Sequence, residues 1–433
     1  MAAIDASIYE EFNIESADQS QSADLKAGVI AFSYYEDVMS PVITATAQIV
    51  NTGNSIKGKS IYQGLPLRGG ERVSIKVRGN SRKNPGLDFT KKKDYFFVTS
   101  IDNVESKSKT ESFTLQLTSR EAISNETTRV GKRYPSTSKI SDSVKDILEK
   151  TLQTKKKLDI HETQNPYGFI GNQRKPFTVI GWLASKAVPD VSEKDGTAGY
   201  FFYQTRDSYN FHSVDKMMTK KPKATYTWTE VALSKQEKIG DYNIQRYQTT
   251  RNNNLLAKLR AGAYSSQRIF FDPLNFTFTG KEAGLFNSTD AKTKNLGKKL
   301  VLPKINDESD KHLGNLPSRI VTQVMDRGTL SIGVTIDENA DPMKYQSQAL
   351  SRLNTLFTQV LDMNIPSNTN LRAGDIIKCQ FPQTAVNATN EFDTDLSGLY
   401  MIKSLRHFFN PDGSWTQMNL VRDTYGQHGT NTK

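Results

Sequence analysis

One stretch of text occurs twice in this chain, and the duplication constrains the fold more than any other feature. Leu67-Arg68-Gly69-Gly70-Glu71 leads into Arg72-Val73-Ser74-Ile75. Near the other end, Leu371-Arg372-Ala373-Gly374-Asp375 leads into Ile376-Ile377-Lys378-Cys379. Tyr95-Phe96-Phe97-Val98-Thr99-Ser100-Ile101 is answered by Leu399-Tyr400-Met401-Ile402-Lys403-Ser404-Leu405, and both pairings use the same offset of 304 residues. Leu115-Gln116-Leu117 then matches Met418-Asn419-Leu420 at an offset of 303, so a single residue is gained or lost in the turn before the last strand. In the first copy a glycine turn precedes Val73, Ile75 and Val77, apolar at every second position, which places them on one face of a strand. Two copies of one β-unit are expected to bracket the protein.

Between and around these copies the texture alternates between strand-like and helical. Val29 to Val50 reads as two strands about a turn at Asp37 to Pro41, and 51–64 reads as a loop. Tyr95 to Ile101 and Ser112 to Thr118 form a hairpin, giving about five or six strands in roughly 120 residues, the size of a small antiparallel barrel or sandwich. At Ser119 the pattern changes. Ile140, Val144, Ile147, Leu148 and Leu152 recur at helical spacing behind Ser138 or Ser141, predicting a helix over about 140–153. A second helix is expected over about 178–188, where Trp182, Leu183 and Ala187 share a face, followed by an aromatic hairpin from Gly199 to Val214 with its turn at Arg206 to Ser208. Segments 226–232, 241–249, 257–264 and 267–278 read as further strands, with a turn at Asn252 to Asn254. The stretch 281–316 is polar and turn-rich, and 319–336 returns to strand-like text. Ala349, Leu350, Leu353, Leu356 and Phe357 predict a helix over 345–357 before the second β-unit.

At 433 residues the chain is long enough for two to four domains. No run of about 18 apolar residues occurs, and the first thirty residues carry Asp5, Glu10, Glu11, Glu15 and Asp18 where a signal peptide needs a basic start. Neither membrane insertion nor signal-directed secretion is expected. Cys379 is the single cysteine, so no disulfide framework can form within one chain, and it reads as a small core residue. Lysine and arginine number 57 against 46 acids, a net charge of +11, which raises the possibility of a nucleic-acid partner. The lysines, however, lie in separate clusters (91–93, 155–157, 216–223, 292–299) between periodic segments, with few interleaved aromatics to stack on bases.

Catalytic signatures are missing. The chain holds no Walker-type loop, no dinucleotide glycine triplet, no His-Glu-x-x-His and no Gly-x-Ser-x-Gly. His161, His212, His312, His407 and His428 are scattered without a second histidine or cysteine at ligand spacing, so structural or surface roles are expected for all five. Asp307-Glu308-Ser309-Asp310 and Asp337-Glu338-Asn339-Ala340-Asp341 offer oxygens to a hard cation but match no EF-hand order, and read as solvated turns. The aromatic hairpin at 200–211 reads as core or subunit interface rather than a stacking surface. No catalytic, metal or cofactor-binding residue is assigned, and no cofactor is expected.

Pro176-Phe177-Thr178-Val179-Ile180-Gly181-Trp182-Leu183-Ala184, then Gly199 to Val214, then Leu371 to Asp375 and Gly398-Leu399-Tyr400-Met401-Ile402 through Trp415 to Tyr425, resemble the central baseplate hub protein of contractile-tailed bacteriophages. The resemblance implies an α+β, mainly β fold: two similar antiparallel β-barrel (tube) domains with an inserted α+β domain. The expected division is 1–122 for the first barrel, 123–225 for the inserted domain and 226–280 for the start of the second barrel. Residues 281–340 form an insertion packing with the middle domain, 341–425 the remainder of the second barrel, and 426–433 a flexible tail. It further implies a non-enzymatic homotrimer in the virion tail baseplate, made in the host cytoplasm. Its implied partners are tail-tube or tube-initiator proteins and a cell-puncturing spike, with double-stranded DNA passing through the lumen without specific binding. Two alternatives stand beside it: a basic nucleic-acid-binding protein and a tail-associated cell-wall hydrolase.

Overall fold

The computed structural model describes residues 7–426 apart from 53–55, 57, 66, 80–83, 191–197, 229–241, 280–283, 289–293, 299–300, 307, 327, 329–342 and 384–391. The first repeat comprises β1 (Tyr9–Glu15), β2 (Ser22–Asp24), β3 (Val29–Asp37), β4 (Thr44–Thr52), the single-turn helix α1 (Ile61–Gly64), β5 (Arg72–Arg78), β6 (Gly86–Asp88), β7 (Phe96–Ser106) and β8 (Thr110–Ser119). Its strands run antiparallel in the order β2-β1-β5-β7-β8-β4-β3. The apolar alternation explains the layering. Val73, Ile75 and Val77 of β5, Phe113, Leu115 and Leu117 of β8, and Ala45, Ala47 and Ile49 of β4 all turn into one core with Phe12, Ile14 and Phe32. β1 and β2 carry that core too, although sequence periodicity marked nothing before Val29.

After α2 (Arg120–Thr127) comes a mixed segment. It holds β9 (Arg133–Tyr134), α3 (Ile140–Asp146) running on as a π-helical turn over Ile147–Thr151, β10 (Lys157–Ile160), β11 (Phe169–Ile170), α4 (Pro176–Ala184), β12 (Tyr200–Gln204), β13 (Ser208–Ser213) and α5 (Val214–Met218). The N-cap of α3 is Lys139, without a side-chain cap, so neither Ser138 nor Ser141 takes that role; Thr163 Oγ1 instead accepts the Ser141 N–H at 3.0 Å. Helix α4 starts at Pro176, whose missing N–H costs nothing in a first turn. The aromatic hairpin is core, with every residue of β12 and β13 buried.

The second repeat uses β14 (Thr225–Trp228), β15 (Asn243–Ile244) and β16 (Arg246–Arg251). Helix α6 (Leu255–Ala261) follows, then a separate sheet of β17 (Ser265–Asp272), β18 (Thr277–Phe278), β19 (Leu285–Asn287) and β20 (Arg319–Val324). The chain returns through α7 (Met343–Leu356) to β21 (Gln359–Pro366), β22 (Ile376–Gln380), β23 (Gly398–Asn410) and β24 (Gly413–Arg422). The strand expected over 257–264 is a helix instead. Asn254 caps it by accepting the Ala257 N–H, Leu255 and Leu259 pack against Ala263, Tyr264 and Leu302, and Gly262 ends it at φ +70°.

The repeat survives in three dimensions down to single hydrogen bonds. The order β5-β7-β8-β4-β3 is reproduced by β22-β23-β24-β21-β16. Gly70 N–H donates to Val98 O at 2.8 Å, and Gly374 N–H to Ile402 O at 2.8 Å; Val98 N–H donates to Glu71 O at 3.0 Å, and Ile402 N–H to Asp375 O at 2.9 Å. The acid of each turn accepts a backbone N–H three residues back, from Arg68 at 2.6 Å and from Arg372 at 2.8 Å. Both long strands then carry a bulge at the same place, Val98/Ser100 and Ile402/Ser404. The repeats differ at the other neighbour: β1 lies antiparallel to β5, whereas β14 lies parallel to β22.

The two turn glycines give a contrast that tests this equivalence. Both have positive φ, +91° at Gly70 and +81° at Gly374. A Cβ at Gly70 meets nothing within 4 Å, whereas one at Gly374 falls 2.4 Å from Tyr203 Oη and 2.9 Å from Met217 Cε. Gly70→Ala is expected to cost about 1 kcal/mol through backbone strain alone. Gly374→Ala is expected to cost about 2–4 kcal/mol because the hairpin must also shift. Urea unfolding midpoints of the two variants check the difference; equal costs would mean that Tyr203 and Met217 do not press on the second turn.

The repeats are joined directly. Beyond its bulge, β23 leaves β22 and pairs antiparallel with β3, from Ser404 opposite Asp37 to Phe409 opposite Phe32, so one sheet runs through both. Asn243–Arg251 also pairs on two sides, through β15 with β14 and through β16 with β21.

Candidate functional site

The histidines, scattered in sequence, do not stay apart. Because β10 lies parallel to β13, with Ile160 opposite Phe211, His161 comes alongside His212 on one sheet face, and Asp159 shares that face. The imidazoles stack at 3.9 Å between centroids, and the three residues bring ligand-type atoms within 4.8 Å of one another. The sequence reading, which found no histidine with a second at ligand spacing, missed this; only the strand pairing reveals it. The nitrogens are largely occupied. His161 Nδ1 accepts the Ser213 N–H at 3.3 Å, and His212 Nδ1 lies 3.2 Å from Tyr203 Oη. His212 Nε2 is 3.1 Å from Asp159 Oδ2, off the line of a straight hydrogen bond. The rings lie face to face rather than converging on a point, and Lys216 and Lys220 add positive charge nearby. This is a packed polar cluster whose donor types, though not their present orientation, suit a transition cation.

Burial, aided by His212, drives the His161 pKa down to about 3, while the His212 ring holds the Asp159 carboxyl down to about 2. His407 is driven to about 3 by burial and the nearby Arg372 and Arg206 guanidiniums, and its Nδ1 sits 3.0 Å from Thr416 Oγ1. Both histidines have folded pKa values below the unfolded value, so between pH 6.5 and 3 the unfolded chain binds more protons and stability falls with acidification. Each is expected to remove about 2 kcal/mol between pH 7 and 5. Urea titrations across that range check this, and His407→Phe should flatten the slope, leaving the part carried by His161 and by His212, whose pKa burial also lowers.

Of the other sequence candidates, Cys379 is fully buried, and His312 uses Nδ1 against Leu302 O at 3.0 Å. His428, Asp307 and the 337–341 acidic stretch lie outside the described residues.

The polar chemistry instead gathers where the repeats and the mixed segment meet. Glu36, 1% exposed, accepts from Tyr34 Oη at 2.7 Å, Arg206 N at 2.8 Å and Ala373 N at 2.9 Å, uniting the first repeat, the hairpin turn and the second repeat. Burial raises its carboxyl pKa, opposed by the Arg372 guanidinium. Arg372 spans onward to Asp207 Oδ2 at 2.8 Å. A second knot centres on Arg352 of α7, which pairs with Asp215 of α5 at 2.7 Å and Asp423 after β24 at 2.8 Å. No local pattern in the sequence marks a charge whose partner lies tens to hundreds of residues away.

An open groove of about 670 Å³ runs over β16, β21, β24, β23 and β3 and reaches Glu36. Its lining includes Arg246, Asp362, Gln417, Arg406 and Asp37. Both signs of charge are present, and the groove lies across the junction between the two repeats.

No protein-family model matches the chain. In sequence it is 22% identical over 304 residues to the probable baseplate hub protein gp334 of Vibrio phage KVP40, a match spanning 66% of this chain and 66% of that protein. In fold it is similar to a tail protein from Neisseria meningitidis MC58, with a TM-score of 0.55 and 9% identity over 96% of this chain and 97% of that one. The 43 kDa tail protein of prophage MuSo2 from Shewanella oneidensis gives a TM-score of 0.51 and 9% identity over 96% and 100%. The resemblance read from the residues therefore holds: this chain is similar to a phage baseplate hub protein over 66% of its length and shares a fold with the two tail proteins.

Proposed function

We propose that this protein is a structural hub of a phage tail baseplate, working by assembly rather than by a reaction. The observation that carries the reading is the duplicated unit, repeated down to its turn hydrogen bonds and its bulge and joined into one sheet through β23 and β3. Each repeat is read as a tube-type barrel domain, the second closing through Asn243–Arg251, with residues 123–225 inserted between them. Three chains would then present six similar units in a ring. Such a ring adapts a sixfold tail tube to a threefold spike, because head-to-tail contacts that close make a ring. The polar groove, with arginines and aspartates interspersed, suits a wall past which DNA slides without being held.

Imaging of the purified protein, alone and with its spike partner, tests this. Threefold particles with a central opening are expected. A species that stays monomeric at every concentration, with and without the partner, would sink the proposal.

A further inference from the structure

The junction inside one chain carries instructions for the junction between chains. Each repeat has a long bulged strand, β7 or β23, and an outermost strand two places beyond the last hairpin strand, β3 or β16. Inside the chain the distal half of β23 is paired with β3. That leaves one strand of each kind over. Among the described residues, no strand pairs with the free edge of β7 beyond Val98 or with the free edge of β16. Both edges are exposed: Ser100 and Asn103 to Ser106 on β7, with Val104 at 42% exposure, and Arg246, Gln248, Thr250 and Arg251 on β16. Unpaired strand edges are templates for another strand.

We propose that the β7 edge of one copy of this chain adds antiparallel to the β16 edge of a second copy, in the register of the internal junction. This rests on the reading of the protein as a multi-copy hub and specifies how the copies meet. The register follows from equivalent pairs. Asp102 stands opposite Thr114 as Arg406 stands opposite Gln417, so Asp102 occupies the place of Arg406. Arg251 stands opposite Val360 as Tyr35 stands opposite Thr44, while Val360 and Thr44 face the equivalent Val421 and Thr118. Arg406 pairs with Tyr35 in the internal junction. Asp102 therefore falls opposite Arg251 of the second copy. Beyond the extra bulge of β7, Glu105 takes the place of Phe408 and falls opposite Gln248, two residues from Arg246.

The side chains fit that register. The aromatic stacking of Phe32 on Phe409 at the internal junction has no counterpart on β7; charge replaces it, with Asp102 and Glu105 on one edge and Arg246 and Arg251 on the other. The same charges oppose the rival pairings, since β7 against β7 sets acid on acid and β16 against β16 sets arginine on arginine. Only the head-to-tail contact satisfies both edges, and where its rotation closes such a contact makes a ring.

The test joins the two opposed positions. In the full chain carrying Asp102→Cys and Arg251→Cys, oxidation should give covalent multi-copy species on a denaturing gel, because directly opposed strand residues lie within disulfide reach. Neither single-cysteine variant should do so, and the buried Cys379 should stay inert. Separately, Asp102→Arg or Arg251→Asp alone should raise the concentration for half-assembly about tenfold, and the double reversal should restore it. Multi-copy particles with no cross-link and unshifted single reversals would overturn this edge pairing while leaving the hub reading standing. A protein monomeric throughout would overturn both.

Discussion

Replacing Arg352 with leucine is expected to lower unfolding stability by about 3–5 kcal/mol, because it strands two buried carboxylates. Arg352, Asp215 and Asp423 are each below 5% exposed. The guanidinium meets Asp215 through Nε and Nη2 at 3.0 and 2.7 Å and Asp423 through Nη1 at 2.8 Å, and it also donates to the Lys294 carbonyl. The other Asp423 oxygen accepts the Leu296 N–H at 3.0 Å. One side chain thus pins helix α5, helix α7 and the end of the last strand. Desolvation opposes its charge, but the two carboxylates outweigh that and its pKa is raised. Leucine fills most of the volume and supplies no compensating charge, so packing loss is the smaller term. Urea denaturation of Arg352→Leu, Asp423→Asn and the double variant measures this. The double variant should cost less than the sum, by at least about 1 kcal/mol, since the second change removes one of the stranded charges. Additive costs would mean that the ions act independently.

The second large effect is expected at Glu36. Glu36→Leu should cost about 3 kcal/mol: it leaves the Tyr34 hydroxyl and the Arg206 and Ala373 N–H groups without their acceptor and withdraws the carboxylate facing Arg372. Glu36→Gln should cost about 1–2 kcal/mol, because one amide oxygen replaces two accepting oxygens. The pH dependence separates charge from hydrogen bonding. Burial raises the folded pKa of Glu36 above its unfolded value, so its contribution is fully present below the unfolded pKa and is lost as pH rises through the folded one. The slope runs against that of His161 and His407. Glu36→Gln should therefore steepen the acid-side loss of stability, and an unchanged slope would refute a raised Glu36 pKa. Because Glu36 joins both repeats to the hairpin turn, its loss should also loosen the β23–β3 junction that the proposed assembly copies.

Much of this organisation was legible in the chain itself, and where it was not the reasons are physical. The duplicated turn and strands could be read because their chemistry is local: a glycine for positive φ, an acid that caps the turn, and alternating apolar side chains, all within a few residues. The helix at Leu255–Ala261 was misread as strand because seven residues are too short for a decisive period. Its Asn254 cap and closing Gly262 were nonetheless present in the text.

The sequence by itself determined that one β-unit occurs twice, where its strands and turns fall, and which face of each strand is apolar. Only the tertiary structure decided that β23 meets β3, that β10 brings His161 to His212, and that Arg352 and Glu36 sit buried among their partners. Pairings across tens to hundreds of residues depend on the shape and free edges of already folded units. A lysine, arginine or glutamate has the same local signature whether it ends in solvent or in a dry network. Periodicity carries information over the length of one strand; the free edges that would join copy to copy exist only once the strands have paired.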